Sequence, residues 1–238
     1  RGPSRATVCR DGFEKEFLME QGKGVGVATS FSAWCRHRSA KPSVFVLALL
    51  PFSYLVWAAV FDHLGANPAQ ALVRSTGDWT LRMLCVVLAV TPLRLLTANP
   101  ALARFRRMLG LFVYFYALLH LLSYGGFDMA FDMADIAKDI VKRPFILVGF
   151  TAFVLLTCLA LTSFNRAIKA LGAKNWQRLH RAVYLVAGLA ILHFFWMRAG
   201  KNDFAEVALY AAVLACLLGW RLWYRFRQST PLADLHVS

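Results

Sequence analysis

Three histidines inside strongly apolar stretches are the residues of this chain best suited to chemistry. They are His120, His180 and His193. Imidazole is costly to place in hydrocarbon, so ionisable residues inside a membrane usually serve a function. Neutral imidazole is also a common metal ligand and the axial ligand of many haems. Histidines in this apolar setting therefore suggest that the chain binds haem.

The elements that carry these histidines follow from composition. Of 238 residues, 58% are hydrophobic, and the mean hydropathy is +0.51. A soluble domain has roughly 45 to 50% apolar residues. Runs long enough to cross about 30 Å of hydrocarbon occur six times. The predicted spans are Ser43 to Phe61, Trp79 to Leu96, Met108 to Tyr124, Pro144 to Phe164, Ala182 to Met197 and Phe204 to Tyr224. The sequence thus predicts an all-α integral membrane protein with a bundle of six transmembrane helices.

The charges predict an orientation for this bundle. Four of the seven segments outside the spans hold about three times as many Lys and Arg residues as the other three. These four lie before span one, between spans two and three, between spans four and five, and after span six. Positively charged loops stay in the cytoplasm, so we expect both termini there and a multi-pass membrane protein. The net charge of +14 then reflects topology and attraction to anionic membrane lipids. Nucleic-acid binding is a poor explanation, because the cations are dispersed among short loops.

The predicted domains are a polar, flexible cytoplasmic extension (1–42), the six-helix domain (43–224) and a short cytoplasmic tail (225–238). The extension lacks the apolar core of a signal peptide. No glycine-rich dinucleotide motif follows Tyr224, so we expect electrons to arrive from another carrier. The outer loops are short, and the longest is acidic. None is long enough to form a substrate site, so we expect chemistry on any substrate to take place on a partner docked at the acidic loop. The acidic residues of this loop are Asp128, Asp132, Asp135 and Asp139.

Depth in the membrane connects two of the histidines. His120 follows Arg107 by 13 residues, and His193 follows Arg181 by 12. At 1.5 Å per residue both lie roughly 18 to 20 Å from the inner boundary. Spans three and five run in the same direction, so the two imidazoles can face each other. This is the arrangement of a six-coordinate haem b.

His180 and Arg82 allow more than one interpretation. On a straight helix His180 lies about 19.5 Å from His193 and about 140° around the axis. A second haem there lacks an obvious partner ligand, and a flavin or a quinone headgroup is an alternative. Any of these histidines could instead be a packing or proton-path residue. Arg82, one turn inside predicted span two, could extend to the outer headgroups or pair with haem propionates.

Several ordered motifs in residues 45 to 225 resemble one family. The motifs of the first half are Thr76-Gly77, Leu81-Arg82, Thr91-Pro92-Leu93, Arg106-Arg107-x-Leu-Gly-Leu, Leu119-His120 and Tyr124. Those of the second half are Lys142-Arg143-Pro144, Gly149, Leu161-Thr162-Ser163, Leu171-Gly172, Trp176, Leu179-His180, Tyr184, His193 and Trp196. The set resembles the MsrQ/YedZ family, the haem-binding membrane subunit of the periplasmic protein-methionine-sulfoxide reductase system.

The resemblance implies a ferric-reductase-like transmembrane domain with one or two haem b groups and an association with FMN. It places His120, His180 and His193 at the haem-associated positions. It implies a non-catalytic electron-transfer subunit of the bacterial inner membrane that takes electrons from the quinone pool or a cytoplasmic flavin reductase. The acceptor it implies is a periplasmic molybdopterin enzyme that repairs oxidised methionine, a lesion that only dedicated reductases reverse.

Two other functions fit the residues. A cofactor-free small transporter would use intramembrane His and Arg for protons or substrate, although we find no repeat between the halves. A stand-alone ferric or metalloreductase would take electrons from a separate flavoprotein. The first alternative predicts a colourless protein, and the second predicts reduction of ferric chelates.

Overall fold

A computed structural model describes residues 31–200 and 202–229 of the chain. Most of the predicted extension and most of the predicted tail lie outside the described residues. The described part consists of helices and turns, without a strand. A short helix spans residues 31–36. The longer α-helices are α1 (Ala40–Val60), α2 (Pro68–Leu96), α3 (Arg106–Ser123), α4 (Met133–Lys142), α5 (Pro144–Leu161), α6 (Asn165–His180), α7 (Val183–Ala199) and α8 (Ala205–Ser229). A 3-10 segment (Pro100–Phe105) precedes α3, and a π-helical turn (Tyr124–Asp128) follows it.

Six helical segments of the described chain are long and apolar enough to cross a membrane, which confirms the predicted fold class and number of spans. One boundary differs strongly, since α2 begins at Pro68, eleven residues before the predicted start at Trp79. The side chain of Asn67 caps the helix by accepting a hydrogen bond from the Gln70 N–H, and Pro68 suits the first turn. The first turns carry Arg74 and Asp78, so a search for apolar runs misses them.

Two of the longer helices were not expected from the sequence, because neither has a long apolar run. The first is α4, in the acidic segment between α3 and α5. It is amphipathic, with Met133, Ile136 and Ile140 on one side and charged residues on the other. Asp132 caps its start by accepting from the N–H groups of Ala134 and Asp135. The second is α6, which occupies the basic segment between α5 and α7 and bends at Gly172, where φ is +74°.

The bundle is built around two main helix pairs, α2 with α3 and α5 with α7. Tyr116 on α3 is fully buried and ties α1 to this core. Its hydroxyl donates to the Ala48 carbonyl (2.8 Å) and accepts from the Phe52 N–H (3.2 Å). In a regular helix these two backbone groups would bond to each other. The hydroxyl bridges them next to Pro51, where α1 lacks an N–H donor.

Candidate functional site

The structure brings together the two histidines that the sequence places at one depth. His120 lies near the end of α3 and His193 in the second half of α7. The centroids of their imidazole rings are 6.2 Å apart, and the ring planes are inclined by 75°. Both side chains are half-buried. The two rings therefore share one space between helices of the two main pairs.

Each imidazole is held by a backbone carbonyl of the neighbouring helix. Nδ1 of His120 lies 2.9 Å from the Val73 carbonyl oxygen on α2. Nδ1 of His193 lies 2.7 Å from the Phe145 carbonyl oxygen on α5. A carbonyl oxygen only accepts, so Nδ1 carries the hydrogen in both rings. In a neutral imidazole this leaves Nε2 with a free lone pair, and metal-bound histidines commonly show this arrangement.

A glycine four residues after each carbonyl makes this contact sterically accessible. A helical carbonyl at position i points towards residue i+4, so a side chain there would crowd an incoming ring. The residues at these positions are Gly77 and Gly149. A Cβ on Gly77 would lie 3.1 Å from Cε1 of His120, and a Cβ on Gly149 would lie 2.7 Å from Nδ1 of His193. The two imidazoles therefore pack directly on helix backbone.

The geometry of this pair suits one metal between two imidazoles. Metal–nitrogen bonds of about 2 Å, with each ring centroid about 1 Å behind its nitrogen, would place the centroids about 6 Å apart. The observed separation of 6.2 Å agrees with this value. Two neutral imidazoles, each with its second nitrogen bonded to a carbonyl, also form the donor set of a bis-histidine haem. The residues present fit that group.

His180 belongs to a different part of the molecule. Its ring stacks on Trp176, with centroids 3.9 Å apart, and its Nδ1 lies 3.1 Å from the Trp176 carbonyl oxygen. Its Nε2 lies 3.4 Å from Oγ of Ser163. The expectation of one straight helix through His180 and His193 is wrong, because α6 ends at His180 and a turn precedes α7. The angular offset calculated for a straight helix therefore does not apply.

Arg82 lies deeper in its helix than the sequence suggested. Because α2 begins at Pro68, Arg82 is 14 residues into the helix instead of one turn. Its Nε donates to the hydroxyl of Tyr210 on α8 (3.0 Å), and its guanidinium lies 4.8 Å from the ring centroid of Trp79. Arg82 follows Gly77 by five residues, about 7.5 Å along the axis. The predicted pairing with haem propionates stays a prediction.

The sequence reasoning missed the residues that orient the histidines. They are the carbonyls of Val73 and Phe145 and the glycines Gly77 and Gly149, which entered only as family motif positions. A signal was present, since each glycine lies in the first half of a long helix paired with a histidine-bearing span. Residue type does not reveal which carbonyls bind the rings, because every residue has a backbone carbonyl.

Comparison with known proteins agrees with this architecture. The family described as the ferric reductase like transmembrane component matches residues 76–191. The matched segment contains Gly77, His120, Gly149 and His180, and it ends two residues before His193. Fold and match together define the chain as a ferric-reductase-like membrane protein.

Closer relatives narrow the family further. A protein of Polaromonas naphthalenivorans (strain CJ2), named protein-methionine-sulfoxide reductase heme-binding subunit MsrQ, is 72% identical over 80% of this chain and 87% of its own length. Relatives of the same name in Ralstonia nicotianae (53% identical; 80% and 88% covered) and Herminiimonas arsenicoxydans (51%; 79% and 86%) also match. The chain belongs to the MsrQ family. No solved structure matches it.

Proposed function

We propose that this protein is a haem b electron-transfer subunit of a membrane system that reduces methionine sulfoxide in proteins. The observation that carries the proposal is the facing pair His120 and His193, each held by a backbone carbonyl with Nε2 free. The names of the relatives, which describe heme-binding subunits of a protein-methionine-sulfoxide reductase, support both the cofactor and the system.

In this proposal His120 and His193 would hold one haem through their Nε2 nitrogens. A haem bound there would supply the one-electron redox chemistry of its iron. The residues of the chain would orient the ligands of that haem and shield it from water. The Val73 and Phe145 carbonyls fix the tautomer and direction of each ring. The surrounding apolar helices keep water away and lower the local dielectric.

Three further assignments belong to the proposal. His180, with its Nδ1 held by the Trp176 carbonyl, would ligate a second haem. Arg82 would stabilise haem propionates by its charge. FMN is proposed on the family resemblance alone.

The proposed route crosses the inner membrane of a bacterium, with both termini in the cytoplasm. Electrons enter from quinol or a cytoplasmic flavin reductase and leave to a periplasmic molybdopterin methionine-sulfoxide reductase. The acidic segment around α4 is the proposed docking surface. Two of its four aspartates have structural contacts. Asp132 caps α4, and Asp139 accepts from the Tyr124 hydroxyl (2.6 Å) and pairs with Arg143 (2.8 Å). Asp128 and Asp135 are exposed and would carry the docking charge.

The experiment that tests this function follows the electrons to their acceptor. The purified protein, reconstituted with haem in lipid nanodiscs and reduced anaerobically, is mixed with the purified periplasmic reductase and a protein that contains methionine sulfoxide. We expect rapid reoxidation, followed by absorbance, that requires both the reductase and the sulfoxide. A ferric chelate serves as the competing acceptor. Fast reoxidation by the chelate and none by the reductase would support the metalloreductase alternative and refute this proposal.

A further inference from the structure

A second site lies at the opposite ends of the helices from α4, where α2 ends and α3 begins. Here a cavity of about 230 Å³ opens between α2, α3, α6, α7 and α8. Four arginines line it, together with His180 and several aromatic rings. No Asp or Glu is found among the described residues of its wall. The arginines are Arg106, Arg181, Arg221 and Arg225.

Arg221 on α8 is the most informative of these residues, because its side chain is buried at 8% exposure. One terminal nitrogen donates to the Leu88 carbonyl, and the other donates to the Tyr184 hydroxyl (3.1 Å). Its Nε is buried and has no hydrogen-bond partner. All of its partners are neutral, so the guanidinium charge is buried without a counter-charge. Burial of an unpaired charge is expensive, and it is normally compensated by an anion.

The other walls of the cavity suit a ligand that carries a planar or apolar group in addition to its anionic group. The indole rings of Trp176 and Trp220 line the space, and Tyr224 stacks on Trp220 with ring centroids 5.3 Å apart. Aromatic rings of this kind pack against planar or apolar groups and form belts at the membrane interface. Basic pockets between transmembrane helices on the cytoplasmic side are also a known type of phospholipid headgroup site.

We propose that this cavity is a phosphate-binding site in which Arg221 holds the phosphate and the neighbouring rings pack against the remainder of the ligand. The planar guanidinium matches phosphate oxygens, and a phosphate in the adjoining cavity would supply the counter-charge that Arg221 lacks among its hydrogen-bond partners. Two sources have this chemistry, the headgroup of an anionic phospholipid and the phosphate of a soluble mononucleotide. The site does not depend on the haem assigned to His120 and His193. It excludes a second haem on His180, because His180 lines the same cavity.

The test measures binding of inorganic pyrophosphate to the purified full-length protein by calorimetry, with and without reconstituted haem. Wild type should bind, and Arg221→Gln should weaken binding by about tenfold to a hundredfold, since one charge-assisted contact is lost. Arg227→Gln is the matched control. It removes the same charge from the same helix, and Arg227 lies over Trp223, outside the cavity.

A second variant keeps the test informative if Arg221→Gln fails to fold. Arg181 is exposed at the cavity wall, and Arg181→Gln should weaken pyrophosphate binding by a smaller factor. No binding by wild type, or equal weakening by Arg227→Gln, would overturn the proposal.

Two further arms identify the source of the phosphate. Native mass spectrometry after transfer from nanodiscs should show phosphatidylglycerol retained over phosphatidylcholine, and released by pyrophosphate, if the ligand is a lipid. FMN should bind more tightly than riboflavin, which lacks the phosphate, if the ligand is a mononucleotide. Either preference must disappear in Arg221→Gln. If both preferences persist in Arg221→Gln, the site is refuted. A missing haem spectrum with intact phosphate binding would refute only the proposed function.

Discussion

The contact between His193 and the backbone of α5 predicts a large effect from one methyl group. In Gly149→Ala the new Cβ would lie 2.7 Å from Nδ1 and 2.8 Å from Cε1 of His193, whereas ordinary contacts begin at 3.4 Å. The imidazole must therefore retreat by about 0.7 Å, and its 2.7 Å hydrogen bond to the Phe145 carbonyl must lengthen. Overpacking of this kind costs about 1 to 3 kcal/mol.

The effect should appear in haem binding. Loss of an outer hydrogen bond to a metal-bound histidine typically lowers metal affinity about 10- to 100-fold. We expect a loss in that range when the Gly149→Ala apoprotein is titrated with haemin. Gly77→Ala should show a weaker effect, because its Cβ would lie 3.1 Å from the His120 ring. Circular dichroism and thermal unfolding of the apoprotein would show that both variants fold.

The matched control for these variants is Gly188→Ala on α7. A Cβ at Gly188 would meet no atom within 4 Å. Its helix should gain about 1 kcal/mol in propensity, as in the other two variants. Haem affinity should therefore stay at the wild-type level. If Gly149→Ala binds haem as tightly as Gly188→Ala and with the same spectrum, the assignment of His193 as an oriented ligand is wrong.

Three further variants test other parts of the structure. Tyr116→Phe removes the hydroxyl that bridges Ala48 and Phe52, and it should lower the free energy of unfolding by about 1 to 3 kcal/mol in a denaturation assay; an unchanged stability would contradict the bridge. Asp128→Asn combined with Asp135→Asn should slow electron transfer to the periplasmic reductase several-fold at low salt and flatten its salt dependence, while Asp62→Asn on the α1–α2 connection serves as control. Equal rates in all three proteins would exclude docking through α4. Arg82→Gln should lower the haem midpoint potential in a redox titration, whereas Tyr210→Phe, which keeps the charge, should have a smaller effect; identical potentials would exclude a role for the Arg82 charge.

The fold was largely predictable because the bilayer imposes a simple rule on the sequence. A helix needs about 20 apolar residues to cross, and six such runs are present. The rule failed where helices are amphipathic or polar. The first turns of α2 carry Arg74 and Asp78, and neither α4 nor α6 contains a long apolar run. Such helices depend on caps and on contacts with the interface, which hydropathy does not register.

The site was predictable only in part, for a different reason. Counting residues from the basic loops placed His120 and His193 at the same depth, and the structure brings their rings within 6.2 Å. The groups that orient the rings are backbone carbonyls, which every residue possesses, so residue type cannot reveal them. The cavity around Arg221 was equally hidden, because it is formed by five helices and each contributes only a few residues.

Absorption spectroscopy tests the central claim most directly. Haem content and the Soret and α bands are measured for the purified wild-type protein and for His120→Ala and His193→Ala. We expect a six-coordinate low-spin haem b spectrum in wild type, and each substitution should remove this haem or convert its spectrum to high spin. Wild-type haem content with an unchanged low-spin spectrum in both variants would contradict the account.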